Sequence, residues 1–178
     1  VTDFRIAFER TAKHEGFHSN DPNDPGGETY MGISRRYNPD WDGWEMVDRL
    51  GWRVFNAELE GRVLRFYRNR FWDPLQCGHF PQSIANEMFD TGVNMGIKRA
   101  ATFFQRGLNV LNRDEKLYPN IEVDGAVGVK TIAAFDALPS RDVAALEKIM
   151  NVLQGAYYVE RMEEDETQEK WVGWFNRV

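Results

Sequence analysis

The chain has 178 residues, 42% hydrophobic and 28% charged, with a formal net charge of −6. That length hides roughly 70% of the unfolded surface without covalent staples. The charge argues against duplex nucleic acid or an anionic membrane as partner, since both reward basic surfaces. Cys77 is the single cysteine, so no intrachain disulfide is expected. No apolar run approaches the ~20 residues that span a bilayer, so no stable membrane insertion is expected, and no signal peptide is visible. Six tryptophans and twelve phenylalanines exceed what such a core requires, and some rings are expected along a groove.

Residues 3–17 read as an amphipathic helix capped by Thr2 or Asp3. Phe4, Phe8, Thr11 and Glu15 recur at helical spacing, which sets a carboxylate on the apolar stripe. Asp21-Pro22-Asn23-Asp24-Pro25-Gly26-Gly27-Glu28-Thr29 follows, and its prolines and glycines forbid a regular helix or central strand. It reads as a rigid polar loop just after Glu15, the type of segment where binding and catalysis concentrate. A short strand or hairpin is expected through Tyr30–Ser34. Residues 38–48, rich in Asp, Trp and Gly, read as irregular.

Helical spacing resumes over 52–71, with Val54, Phe55, Leu59, Val63, Phe66 and Tyr67 inward, and Asp73-Pro74 ends it. Two helices follow over 83–95 and 98–111, broken near Gly96, then a short one over 128–138 and a long one over 140–162. Trp171, Trp174 and Phe175 suggest a final short helix folding back onto the body. His79 has no visible partner and reads as a loop residue, while Trp72 and Trp174 read as core. The expected fold is mainly all-α, with seven or eight helices around one core or two closely packed lobes. The division is set at 1–92 and 93–178.

His14-Glu15-Gly16-Phe17-His18 spells H-E-x-x-H, which on a continuous helix would offer two imidazoles to zinc with a glutamate base between them. Gly16 inside the motif and Pro22 soon after it weaken that reading, and the extended form with a third His is absent. No metal or organic cofactor is expected. Asp21-x-Asn23 with Gly26 resembles the start of a calcium loop, but Pro25 and Gly32 fall where ligands are needed. Glycoside hydrolysis uses the same segment differently. A poorly solvated Glu15 favours its neutral form and suits proton donation, and Asp21, Asp24 or Thr29 could hold the attacking water.

The run from Glu15 to Thr29 closely resembles the signature of the glycoside hydrolase 108 muramidases, E-G-G-Y followed by D-P-x-D-P-G-G-x-T. Tyr30–Ser34, Phe66–Pro74 and Phe89–Gly96 are similar to the same family. The later segment Val123-Asp124-Gly125, with Gly128 and Thr131, resembles the predicted peptidoglycan-binding domain that accompanies it, as does the closing 173–178.

The resemblance implies a lysozyme-like fold and a lysozyme activity on peptidoglycan, cleaving between N-acetylmuramic acid and N-acetylglucosamine. Glu15 would be the general acid, with Asp24 and Thr29 as helpers. Asp21, His18, Tyr30 and Asn94 would contact substrate. The place of action would be the periplasm or cell wall, in an endolysin or a secretion-activating role. Two departures stand out. The family's Gly-Tyr after the glutamate is Phe17-His18 here. Phage-type lysozymes space their Glu-Asp-Thr set with five residues before the Thr, whereas four separate Asp24 from Thr29. A zinc peptidase and a non-catalytic wall-binding protein are the competing classes.

Overall fold

The computed structural model describes residues 2–12, 18–19, 27–51, 56–164 and 175. The architecture is mainly α-helical, with a small antiparallel sheet among the described residues. Seven α-helices are present among the described residues: α1 (Phe4–Ala12), α2 (Trp44–Leu50), α3 (Ala57–Tyr67), α4 (Gln82–Met95), α5 (Ile97–Leu111), α6 (Val129–Asp136) and α7 (Val143–Glu164). The strands β1 (His18–Ser19), β2 (Thr29–Tyr30) and β3 (Ile33–Ser34) pair in that order. No described helix is long and apolar enough to cross a membrane.

Local chemistry sets the element ends. Asp3 Oδ1 accepts from the Arg5 N–H at 2.8 Å and opens α1. Asn56 accepts from the Leu59 N–H at 2.7 Å and opens α3. A π-helical turn, Arg68–Trp72, extends α3 before Asp73-Pro74 ends it. The stretch expected to be irregular over 38–48 in fact contains the start of α2, so that expectation is corrected. Trp44, Met46 and Val47 are buried there, and this inward face stabilises a helix that has no side-chain cap at Gly43. The expected start of the next helix at 52–55 lies outside the described residues.

A single buried core joins the parts. α1 and α4 start together: Asp3 N–H donates to Gln82 Oε1 at 2.7 Å, and Gln82 Nε2 returns to the Asp3 carbonyl at 3.0 Å. Phe4 meets Trp72 and Phe89 edge-on at 5.5 and 5.6 Å. Trp72 is buried, as expected of a core residue. Farther along the chain, the fully buried Phe80 packs on Phe104 of α5 and Phe135 of α6, at 4.8 and 5.0 Å. His79 is corrected as well: its Nε2 lies 2.9 Å from Asp136 Oδ1, a partner 57 residues away that no local pattern reveals. Of the closing segment only Phe175 is described, its ring 5.9 Å from Tyr158; Trp171 and Trp174 lie outside the described residues.

Candidate active site

The hairpin of β2 and β3 turns through Met31 and Gly32, both at positive φ (46° and 78°), as a two-residue turn that follows strand twist requires. Gly32 is demanded twice. A Cβ there would stand 2.4 Å from the Tyr67 hydroxyl, which donates to the Met31 carbonyl at 2.8 Å. Tyr67 also meets Phe8 of α1 edge-on at 5.2 Å. The hairpin is thus fixed to the first helix through one α3 side chain.

Thr29 sits on β2, half-buried, and its hydroxyl donates to the Gly27 carbonyl at 3.3 Å. Tyr30 is buried, its ring stacked on Trp41 at 6.1 Å, and burial raises its phenol above the ordinary value. The backbone of His18 pairs opposite Tyr30. The structure therefore brings His18, Thr29 and Tyr30 to one sheet.

The open end of the hairpin is held by Arg35. Its Nε lies 2.6 Å from Glu28 Oε2, and its two Nη atoms donate to the Asp48 carboxylate at 3.1 and 2.5 Å. Its guanidinium stacks 4.3 Å from the Trp44 ring centre. The hydrogen bond from Arg35, followed by its charge, holds Asp48 below the usual carboxylate range.

On α4, Asn94 is exposed, and its Nδ2 donates to the Asp90 carbonyl at 2.8 Å and to Asp90 Oδ2 at 3.1 Å. Two turns earlier, Glu87 is almost fully buried, with the Thr91 hydroxyl 3.4 Å away. Desolvation pushes its carboxyl up to about 7; Asp90 and Glu147 add to the rise, while Arg10 of α1 and Thr91 oppose it. Sequence reading missed Glu87 and Arg35. Glu87 lies between Ile84, Met88 and Thr91 on the buried side of α4, a spacing that marks it. Arg35 carries no comparable signal. Glu15, Asp21 and Asp24 lie outside the described residues, as do His14 and the His18 side chain. No cluster able to hold a metal occurs among the described residues.

The profile of Glycosyl hydrolase 108 matches residues 8–96. The chain belongs to glycosyl hydrolase family 108. A second profile, a predicted peptidoglycan domain, matches residues 99–178 of this family 108 hydrolase, so the two matches meet at the break between α4 and α5. Among solved structures the chain is similar to Brucella abortus SagA, at 19% identity, covering 97% of this chain and 95% of that one with a TM-score of 0.56, a likeness of fold. No curated protein matches significantly. The family 108 chain is a glycoside hydrolase that acts on peptidoglycan, and its place of action is the cell wall.

Proposed function

We propose that the enzyme hydrolyses the β-1,4 bond between N-acetylmuramic acid and N-acetylglucosamine, as a lysozyme does. Glu15 protonates the leaving oxygen, and Asp24 or Thr29 orients the attacking water. The observation that carries this reading is the family match over residues 8–96, which contains the whole Glu15–Thr29 signature.

The geometry supports it. Two residues separate Glu15 from Ala12, so covalent reach keeps its Cα within about 11 Å of the end of α1. That helix is locked through Phe8 and Tyr67 to the hairpin carrying Thr29. Asn94 stands near the C-terminal end of α4, whose start is paired with the start of α1 through Asp3 and Gln82. Asp21, His18 and Asn94 would contact the glycan; Tyr30, expected to contact it as well, has its ring buried on Trp41 and would serve it through the hairpin instead. Residues 1–92 would carry catalysis and 93–178 wall binding.

The test is release of reducing ends from purified sacculi by the parent chain and by Glu15→Gln, with folding checked by circular dichroism. A folded, inactive variant and a parent rate insensitive to chelator are expected. A variant that clears walls at the parent rate contradicts the role of Glu15. Chelator-sensitive release of peptides favours a zinc peptidase instead.

A further inference from the structure

We infer that Arg35 is a positioning residue for this reaction: by clamping Glu28 to α2, it sets the start of β2, where Thr29 stands. The inference rests on the proposed catalytic reading. Four constraints meet on this one side chain and its backbone. Nε faces Glu28 at 2.6 Å, both Nη atoms bind Asp48, and the guanidinium face lies on Trp44. The Arg35 N–H also donates to the Glu28 carbonyl at 2.8 Å, which closes the mouth of the hairpin.

The platform beneath is rigid. Trp44 is buried, its indole N–H donates to the Asn38 carbonyl at 2.7 Å, and its ring meets Trp41 edge-on at 5.0 Å. Glu28 is the covalent neighbour of Thr29 and follows Asp24 by four residues. The far end of the hairpin is held separately by Tyr67, so loss of Arg35 frees the start of β2 and leaves the turn in place.

Exposed ion pairs of this kind stabilise a fold only slightly, and Asp48 is largely exposed. Their directional effect is larger, because small misplacements of a group that positions a reactant are costly in rate. Lysine cannot replace the arrangement: it lacks the planar fork that contacts two carboxylates and stacks on an indole at once.

The test measures rates against sacculus concentration, and melting temperature, for Arg35→Met, Arg35→Lys, Glu28→Gln, Asp48→Asn and the Arg35→Met/Glu28→Gln double variant. Arg35→Met should lower kcat about tenfold or more with KM nearly unchanged. Arg35→Lys should not restore it, and the double variant should match Arg35→Met alone. Glu28→Gln and Asp48→Asn change exposed or half-exposed carboxylates, and they report the same coupling if Arg35→Met fails to fold. Parent-level kcat in Arg35→Met or in Glu28→Gln, or losses that multiply in the double variant, would overturn the inference. A Glu15→Gln control separates the two failures. If that variant still turns over, the catalytic reading falls and takes this inference with it; if it is inert while Arg35→Met is unimpaired, only the role of Arg35 falls.

Discussion

The Tyr67 hydroxyl donates to the Met31 carbonyl at 2.8 Å, and this contact couples α3 to the turn of the β2–β3 hairpin. The same ring meets Phe8 of the helix that leads to Glu15. Tyr67→Phe keeps the ring and removes the bond, so it should cost about 1 kcal/mol of stability. Gly32→Ala should cost more, because it meets both a positive φ and the Tyr67 hydroxyl. Chemical denaturation of both variants checks this, and a Tyr67→Phe variant as stable as the parent would contradict the seating of the turn on Tyr67.

Burial of Glu87 makes stability depend on pH. Its carboxyl is raised from 4.5 to about 7 by desolvation first. The folded state therefore binds its proton more tightly than the unfolded state does. The group's full contribution is present below about pH 4.5 and declines as pH rises through about 7. The loss amounts to roughly 3 kcal/mol. Asp90 and Glu147 face it with like charge and Arg10 with opposite charge. Glu87→Gln should flatten this part of the stability profile between pH 4.5 and 7, as measured by urea unfolding.

The Asp124-Gly125 motif is organised around Gln105 of α5. The buried Gln105 donates to Asp124 Oδ1, the Ala126 carbonyl and Thr131 Oγ1 at 2.8, 3.0 and 3.2 Å, and accepts from the Gly125 N–H at 2.9 Å. A Cβ at Gly125, whose φ is 77°, would meet the Lys98 side chain at 2.5 Å. Gln105→Ala strands several polar groups, each costing about 1–3 kcal/mol when buried without a partner. A loss of about 3 kcal/mol or more is expected in equilibrium unfolding. Asp124→Ala, which also loses the bond from the Ala126 N–H but keeps the other contacts of Gln105, should lose less.

Phe80 ties the region of the first family match to that of the second. Truncation to Ala should cost about 3–5 kcal/mol and lower the melting of both regions together in a single calorimetric transition. Two separated transitions in the parent chain would contradict the shared core.

Apolar periodicity made most of this architecture readable. The helices expected over 83–95, 98–111, 128–138 and 140–162 stand at 82–95, 97–111, 129–136 and 143–164. Helix α2 escaped because it is short, its apolar residues are interspersed with Glu45, Asp48 and Arg49 between flanking glycines, and no capping side chain marks its start. In the candidate site, the resemblance pointed to Thr29, Tyr30 and Asn94 by type and position. The bonds that hold them were not readable. Tyr67 reaches back 36 residues to Met31, and Arg35 reaches Asp48 across a turn and a helix start. Such pairings are set by packing, and local spacing carries no trace of them.

Glycosidic cleavage that depends on Glu15 is tested most directly by mass spectrometry of fragments from digested sacculi. The parent chain should release muropeptides that end in reducing N-acetylmuramic acid, and Glu15→Gln should release none. Anhydro-sugar ends, cut peptides with intact glycan, or unchanged release by the variant would contradict it.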